Sequence, residues 1–389
     1  MPTVKWDKTK LQLIRSYFEQ GLSYAEIARK VGTTVDSLEH VARKHNLRNG
    51  LDRTSSSEAF DPNNAIDTVI EGKRIKKQEL DILAGLIGEK IYKNFQVVKL
   101  ETPSLIKAAG TCEETSILDI SDVHVGMINE ASNEATGGKE ITYNHEIFLS
   151  ELKQMQESIF QIHQLLSHKD GYRLRKLVIH ILGDIITNDR IFPEQTFEIE
   201  HCVGLQMWDA VTIFSQFFVN LLRIYEEIEV VCVAGNHGRS NPTHYNEPVQ
   251  NNFEYHIYRI WQKQFENHKQ IKIIVPEAYR YIHKIGPWRH LIEHGHNLKG
   301  FSETSIKNQL KEMFVNVGNF DVFHFGHIHE LADKSISDKV IVKQNGCWIW
   351  KDEYAWTKFK TFSIPKQHFF GCNDRRAETW KYALDLRTK

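Results

Sequence analysis

The sequence predicts an α/β protein with a small all-α module in front of it. Short apolar runs alternate with longer segments of helical period over most of the chain, and five of these runs are followed directly by Asp, Asn or His. Aliphatic runs of this length are typical of strands buried in a sheet. With 389 residues, 41% of them hydrophobic and 25% charged, the chain is long enough for two or three globular domains.

Charge and composition exclude several classes of protein. The formal net charge is -1, so any surface that binds nucleic acid must be a local one. No apolar run approaches the roughly 20 residues that span a bilayer, and the N-terminus lacks the apolar segment of a secretory signal. The five cysteines form no Cys-x-x-Cys pair, which indicates free thiols in a reducing compartment. We therefore expect a cytoplasmic protein with no membrane contact.

Residues 1–49 predict a helical module. Apolar residues at helical spacing indicate three helices, Lys8–Gln20, Tyr24–Val31 and Val35–His45. Ser23 can cap the second helix, Ala28 is small enough for two helices to cross closely, and Gly32 permits the tight turn before the third. This pattern resembles the helix-turn-helix of DNA-binding proteins.

The resemblance implies DNA contacts from the third helix of the module. The candidates are exposed polar and basic residues in and beside that helix, Thr34, His40, Arg43 and Lys44. Asp36 and Glu39 make the first half of the helix acidic, whereas base-reading helices usually contact DNA from that half. A module that binds a protein partner is therefore the alternative.

Two segments join this module to the rest of the chain. Residues 50–66 are rich in Ser, Asn, Asp and Gly and have no apolar period, which predicts a linker. Residues 67–112 are expected to form a helical connector, in which Gln78–Lys93 carries a broad apolar face. That face can pack on the following domain or join two chains in a homodimer, and the sequence does not choose between these.

The larger domain, residues 113–389, alternates predicted strands and helices. Five strands that are followed by polar residues are expected. The first begins at Ile117, and the others are Lys176–Leu182, Val230–Ala234, His290–Glu293 and Val322–Phe325. Helices are predicted at Asn144–His168, over most of Ile191–Ile228, and at Pro248–Gln264. Because no long crossover separates them, Ile271–Val275, Arg280–Lys284 and His290–Glu293 are expected to be antiparallel. Further strands are predicted at Val340–Lys343 and Lys360–Ile364, followed by a polar tail from Lys366.

The ends of the five strands carry side chains that bind metal ions, in the sequences SDVHVG, LGDII, AGNHG, EHGH and FGHIH. Open α/β sheets place their sites outside the carboxyl ends of strands, so these side chains are expected to meet. Carboxylate, amide and imidazole ligands suit divalent Mn, Fe, Ni or Zn better than Ca or Mg. The set exceeds what one ion usually takes from a protein, which favours two ions sharing a carboxylate. Its members are Asp122, His124, Asp184, Asn236, His294, His327 and His329.

In their order and in the placement of their glycines, these motifs resemble those of the calcineurin-like metallophosphoesterase superfamily. The helix-turn-helix module fused to them is the one feature that favours the nuclease-like branch of that superfamily. The resemblance implies a two-sheet sandwich flanked by helices. It also implies two divalent ions, with manganese the first candidate and iron, zinc and nickel the alternatives. One ion would be held by Asp122, His124, Asp184 and His329, and the other by Asp184, Asn236, His294 and His327.

The resemblance further implies a mechanism. Paired ions lower the pKa of a bridging water, orient it and neutralise charge on the phosphoryl oxygens. His237 would protonate the leaving alkoxide as general acid. His296, the second His of the His-Gly-His sequence, is an alternative to His294 as ligand but is expected to support the site from outside the ligand set.

Two departures from the family pattern bear on the substrate. Gly238-Arg239 follows the third motif, where many members have an acidic residue. Thr187 stands where phosphatase members have the Asp that orients the catalytic His. This difference weakens the prediction that the chain is a phosphatase. Arg190 and Arg239 are candidate phosphate-binding residues.

Three functions are compatible with these features. The first is a metal-dependent DNA nuclease or phosphodiesterase that the N-terminal module delivers to duplex DNA. The second is a phosphomonoesterase or nucleotide phosphodiesterase whose module binds a protein partner. The third is a DNA-bound regulator without catalysis, which the complete set of metal-binding side chains disfavours.

Overall fold

The chain folds into two compact units, Met1–Phe95 and Gln96–Lys389. This computed structural model describes residues 8–20, 22–45, 47, 102–106, 110–133, 135–192, 197–243, 247–336, 340–352, 356 and 364–387. The expected linker 50–66 and the expected helix Gln78–Lys93 lie outside the described residues. Every helix in the described part is too short or too polar to cross a lipid bilayer.

The described part of the first unit contains three helices, α1 (Lys8–Glu19), α2 (Tyr24–Val31) and α3 (Val35–Lys44). The Ser23 hydroxyl accepts the Glu26 N–H and the Glu26 carboxylate accepts the Ser23 N–H, so this capping box fixes the start of α2. Gly32 ends α2 at φ 69°, in the left-handed region that favours glycine. The helices share an apolar core formed by Ile14, Phe18, Ile27, Ala28, Leu38, Val41, Ala42 and Leu47.

The second unit is built on two β-sheets and a hairpin. Its strands in chain order are β1 (Cys112–Ile120), β2 (Asn129–Asn133), β3 (Gly138–Tyr143), β4 (Tyr172–Ile181), β5 (Glu227–Cys232), β6 (Ile271–Ile274), β7 (Arg280–Ile285), β8 (Trp288–Glu293), β9 (Val322–Phe325), β10 (Ala332–Ile336), β11 (Val340–Gln344), β12 (Lys366–Asn373) and β13 (Arg376–Asp385). The first sheet has the order β13-β12-β1-β4-β5-β6, the second has the order β10-β11-β9-β8-β7, and β2 pairs with β3.

The central strands of each sheet run parallel. In the first sheet β1, β4, β5 and β6 are parallel, and in the second β8, β9 and β11 are parallel. The sheets pack face to face: Ile117 and Val178 of the first contact Ile285 of the second, and Val231 contacts Ile292. The carboxyl ends of β1, β4, β5, β8 and β9 therefore meet at one edge of a two-layer core.

Helices cover the outer faces. The second unit contains α4 (His145–His168), α5 (Val203–Leu221), α6 (Phe253–Gln264) and α7 (Glu303–Asn316) among its described residues. The first of these packs on β4 and β13 of the first sheet. On the other side, α7 buries Ile306 and Leu310 against Leu291, Phe323 and Phe325 of the second sheet. The arrangement is the mixed α/β two-sheet sandwich with flanking helices that the sequence predicts.

Three predictions about individual elements are wrong. Within Ile191–Ile228 the helix α5 extends only from Val203 to Leu221, which is less than predicted. Ile199 pairs with Met127 and the Glu200 N–H donates to the Gly126 carbonyl, and these contacts hold the backbone extended before α5 begins. The expected antiparallel arrangement is confirmed for β7 and β8 but is wrong for β6, which is parallel to β5 in the first sheet because α6 supplies the crossover between them. The expected polar tail from Lys366 instead forms β12 and β13, and the apolar run inside β12 pairs with β1. The predicted strand Lys360–Ile364 falls mostly outside the described residues.

A chain of hydrogen bonds between buried side chains crosses from one sheet to the other beneath the strand ends. Asp119 is its midpoint: Oδ1 lies 3.1 Å from His180 Nδ1, and Oδ2 lies 2.8 Å from His324 Nδ1. His180 Nε2 continues to His283 Nδ1 at 3.1 Å, and His324 Nε2 continues to His290 Nδ1 at 2.9 Å. His283 Nε2 in turn lies 2.7 Å from Glu229 Oε1. We call these residues the histidine chain: Glu229, His283, His180, Asp119, His324 and His290.

Candidate metal centre

The backbone is strained where the strands deliver their polar side chains. Within the described part of the chain, a positive φ occurs at seven non-glycine residues, and five of them are predicted metal ligands. These are Asp122 at 51°, His124 at 53°, Asp184 at 53°, His327 at 70° and His329 at 61°. Such conformations cost about 1–3 kcal/mol each and persist where the surrounding structure enforces them, which is typical of functional sites.

One half of the site gathers Asp122, His124 and His329. Their donor atoms lie within 4.8 Å of one another. His124 Nε2 is 3.3 Å from His329 Nε2, and His329 Nε2 is 3.5 Å from Asp122 Oδ1. The other ring nitrogen of His329, Nδ1, binds the carboxylate of Asp352. This partner fixes the ring and directs Nε2 toward the other two side chains.

The other half gathers Asp184, His294, Asn236 and His327. His294 Nε2 is 2.8 Å from Asp184 Oδ2 and 3.0 Å from Asn236 Oδ1, and donor atoms of Asp184, His294 and His327 lie within 4.8 Å of one another. His294 Nδ1 lies 2.9 Å from the Leu182 carbonyl, so the ring is oriented from behind. Asp184 Oδ2 is buried and makes no well-formed hydrogen bond with the described residues despite its short contact with His294.

The two halves are linked through His124 of the first and Asp184 of the second. A third group of donor atoms joins Asp184, His124 and His237 within the same 4.8 Å limit, so the groups overlap. The overlap gives Asp184 contacts on both sides, as a carboxylate shared by two cations requires. All predicted ligands are thus brought to one edge of the sandwich.

Glycines permit the close approach of these strand ends. A Cβ on Gly235 would lie 2.1 Å from Asp184 Oδ1, and a Cβ on Gly326 would lie 2.4 Å from Asp122 Oδ2. Neither position can accept a side chain without moving a carboxylate. The glycines in the motifs therefore have a packing role in addition to their role in turns.

His124, His327 and Asp184 are held in the protonation states that bind cations, whereas His294 would have to lose a proton to do so. Burial lowers the pKa of His124 and of His327 to about 3, so both rings are neutral at pH 7. Burial raises the pKa of Asp184, but His294 and the other nearby histidines outweigh it and hold the pKa well below its usual value. Neutral imidazoles and ionised carboxylates are the forms that bind divalent cations. Burial also opposes protonation of His294, yet Asp184 and Asp122 raise its pKa to about 9, which marks a negative potential at this edge.

His237 lies beside the overlap. Its backbone N–H donates to Asp184 Oδ1 at 2.8 Å, and its ring Nδ1 lies 2.9 Å from the Thr187 carbonyl oxygen. That contact turns Nε2 toward Asp184 Oδ2, which is 4.0 Å away. The backbone of Thr187 therefore orients the ring, where the family pattern of phosphatases has an Asp side chain.

Scaffolding residues that the sequence did not reveal hold the loops of the site. The buried Glu254 carboxylate accepts the N–H groups of Ile185 at 2.5 Å and Gly235 at 2.7 Å. Burial and the charge of Asp184 raise the pKa of Glu254 to about 7. The Asn188 amide donates to the His237 carbonyl at 2.7 Å. Neither residue follows a strand in the sequence, so no motif identifies them.

The remaining candidate residues of this unit lie in different environments. Arg239 is 1% exposed, and its Nε donates to the Asn236 carbonyl at 2.9 Å, so its placement favours support of the Asn236 loop over an open phosphate contact. The Arg190 side chain is 63% exposed and pairs with Asp189. His296 is mostly buried, and its ring centroid lies 5.6 Å from that of His294.

In the first unit, Thr34, His40 and Lys44 are exposed. Thr34 Oγ1 accepts the Ser37 N–H at 3.3 Å, as an N-cap of α3 does. The Arg43 side chain lies outside the described part of the structure.

No protein-family model and no curated protein matches the chain. Solved structures resemble it only distantly. Wild-type Vps29 of Entamoeba histolytica complexed with zinc is 12% identical over 70% of this chain and 99% of that one, with a TM-score of 0.31. A novel archaeal phosphodiesterase is 12% identical over 69% and 99%, with a TM-score of 0.31. A predicted phosphoesterase of Streptococcus pneumoniae is 10% identical over 67% and 84%, with a TM-score of 0.28. Likenesses at these scores carry no argument about activity.

Proposed function

We propose that this chain is a metal-dependent phosphoesterase that holds two divalent ions, one by Asp122, His124, Asp184 and His329 and the other by Asp184, Asn236, His294 and His327. The observation that supports this is a series of three donor groups that overlap through His124 and Asp184, at strand ends whose backbone is strained. The donor set contains oxygen and imidazole nitrogen but no sulfur, which suits manganese, iron, nickel or zinc. Bound there, such a pair of ions supplies an activated water and neutralises phosphoryl charge.

The residues around the ions have separate tasks in this proposal. Asp352 and the Leu182 carbonyl orient the imidazoles of His329 and His294 from behind. His237 donates the proton on its Nε2 to the leaving oxygen, because the Thr187 carbonyl holds Nδ1. Glu254 accepts hydrogen bonds from the backbone of both the Asp184 loop and the Asn236 loop, and so fixes the distance between these loops.

For the substrate we propose a phosphodiester of DNA. The support is the three-helix module, whose third helix exposes His40 and Lys44 beside the acidic Asp36. A DNA-binding module would bring a phosphoesterase to a polymeric substrate, whereas hydrolysis of a small ester needs no such module. A small phosphate ester as substrate, with a protein partner for the module, is the competing outcome.

The test is hydrolysis of supercoiled plasmid and of a panel of small phosphate esters by the full chain with Mn²⁺. Asp184→Asn removes the shared carboxylate, and we expect at least about a hundredfold loss of plasmid nicking, since even residues behind metal ligands contribute 10–100-fold. His237→Ala should lose about 10²–10⁴-fold with metal content unchanged. Asp170→Asn is the matched control, since Asp170 is exposed beside the opposite end of β4 and should leave activity unchanged.

The outcomes separate the alternatives. Intact plasmid together with rapid hydrolysis of a monoester would replace the DNA proposal by the small-ester one. Equal activity of wild type and Asp184→Asn on every substrate would remove the phosphoesterase proposal itself.

A further inference from the structure

A second cluster of metal-binding side chains lies outside the candidate metal centre, where α4 and α5 begin. It consists of His145, the first residue of α4, His201, which precedes α5, and Asp209 in the second turn of α5. We propose that these three side chains form a third divalent-cation site, of the two-histidine, one-carboxylate type.

The distances suit a single ion. Donor atoms of the three side chains lie within 4.8 Å of one another. Asp209 Oδ2 is common to both contacts, at 3.1 Å from His201 Nδ1 and 4.0 Å from His145 Nδ1. Metal–ligand bonds of 2.0–2.2 Å place neighbouring ligand atoms about 3 Å apart, so a shift of less than about 1 Å brings all three atoms onto one ion.

His145 Nδ1 supplies the observation that points to a ligand. This atom is buried and has no hydrogen-bond partner among the described residues, although it faces Asp209 Oδ2 across 4.0 Å. A buried ring nitrogen without a partner is costly, and a cation between it and the carboxylate would satisfy both.

The contrast with the histidine chain strengthens the assignment. Asp119, His180 and His324 meet the same distance limit. There, however, each donor atom already has a hydrogen-bond partner in a linear series, at 2.8 to 3.1 Å. Those contacts occupy every donor atom of Asp119, His180 and His324, and the buried nitrogen of the histidine chain that has no partner, His290 Nε2, lies outside this group. In the other cluster the nitrogen without a partner, His145 Nδ1, belongs to the group itself.

Partial exposure determines the chemistry of the site. The side chains of His145, His201 and Asp209 are 27%, 34% and 23% exposed. Solvent can therefore complete the coordination of an ion that takes three ligands from one side. Two imidazoles and one carboxylate suit Zn²⁺, Co²⁺, Ni²⁺ or Fe²⁺ better than Mg²⁺ or Ca²⁺.

An ion at this position would also restrain the loop of His237. The His201 carbonyl accepts the Gln206 amide at 2.7 Å, and Gln206 Oε1 accepts the Asn188 N–H at 2.7 Å. Asn188 in turn donates to the His237 carbonyl at 2.7 Å. This consequence for catalysis rests on the proposed function, whereas binding of the ion does not.

The experiment measures zinc or cobalt bound per full-length chain after the metal-stripped protein is reloaded and separated from free ion. We expect His201→Ala and Asp209→Asn each to bind one ion fewer than wild type, and His168→Ala, an exposed histidine at the other end of α4, to bind as many as wild type. Asp184→Asn tests the other centre separately: the ion that depends on Asp209 should remain in this variant.

Anomalous scattering from crystals of the zinc-loaded wild type provides a check that needs no variant. A peak in bonding distance of His145 Nδ1, His201 Nδ1 and Asp209 Oδ2 is expected. Its absence, or equal metal content of wild type and both folded variants, would overturn the third site. Failure of the phosphoesterase proposal would appear differently, as unchanged metal content and activity in Asp184→Asn.

Discussion

At the scale of single residues, the candidate metal centre depends on positions that have no side chain. Gly235 and Gly326 stand where a Cβ would touch the carboxylates of Asp184 and Asp122. The left-handed backbone of Asp122, His124 and Asp184 adds a cost of about 1–3 kcal/mol at each residue. The site therefore needs both close approach and an enforced backbone before any ligand chemistry begins.

Replacing Gly235 by Ala should weaken both metal binding and the stability of the fold. The new Cβ would lie 2.1 Å from Asp184 Oδ1, so this carboxylate must move, and we expect Mn²⁺ affinity to fall about 10–100-fold. Overpacking should also lower the free energy of unfolding by about 1–3 kcal/mol. Calorimetric titration and urea unfolding measure the two effects. Gly204→Ala is the control, because nothing lies within 4 Å of its added Cβ and it is helical, so its stability should not fall.

Asp352 tests whether a residue that does not itself bind the metal orients a residue that does. Its carboxylate binds His329 Nδ1, and although burial lowers the pKa of His329, Asp352 and Asp122 raise it well above the usual value. Asp352→Asn should retain the fold but lower Mn²⁺ affinity or activity about 10–100-fold. Unaltered affinity, with Asp170→Asn as the matched control, would show that His329 needs no such partner.

At the scale of secondary-structure elements, the histidine chain joins the two sheets with polar contacts where most sandwiches have apolar ones. Asp119, His180, His290 and His324 are fully buried. Burial lowers the pKa of His180 to about 4 and holds that of His290 well below its usual value. Both rings are therefore neutral in the folded protein at pH 7, and their hydrogen bonds depend on that state.

Lowering the pH should destabilise the sandwich already at pH values above those at which carboxylates titrate. The unfolded chain protonates these histidines near pH 6.5 and the folded one does so only near pH 4 or below, so unfolding takes up protons as the pH falls between these values. We expect the free energy of unfolding to fall from pH 6.5 toward pH 4, by on the order of 3 kcal/mol from His180 alone. Urea unfolding of metal-free protein between pH 7 and pH 5 measures this.

The matched variants for that measurement are His180→Asn and His168→Ala. The first should flatten the pH dependence, since it removes one of the buried rings, while the exposed His168 should not affect it. A stability that stays constant from pH 7 to pH 5 in the wild type would contradict the assignment of neutral buried rings.

At the scale of the whole molecule, the net charge bears on the proposal that the chain binds DNA. The net charge of -1 gives no general attraction to a polyanion, so binding must come from a local surface. We propose that α3 supplies this surface, through residues such as His40 and Lys44. Its acidic first half predicts contacts mainly to phosphates rather than to base edges.

Lys44→Glu should weaken the binding of duplex DNA by the full chain at low salt. Losing one phosphate contact should reduce the slope of log affinity against log salt by about one and should weaken all sequences alike. Fluorescence anisotropy at several salt concentrations measures both. Lys311→Glu makes the same charge change at an exposed position of α7 and should leave the slope unchanged. Equal effects of the two variants would assign the module to another partner.

The sequence alone determined the strand ends and the polar residues that follow them, because a buried strand is an apolar run and a functional loop after it needs glycine and ligands. The capping box of Ser23 and Glu26 is equally local. Only the tertiary structure decided which strands share a sheet: β6 joined the first sheet, and the C-terminal segment supplied β12 and β13. It also decided the partners of the site, Asp352, Glu254 and Asn188, and the pairing of Asp119 with distant histidines. Those contacts join residues far apart in the chain, so no local spacing records them.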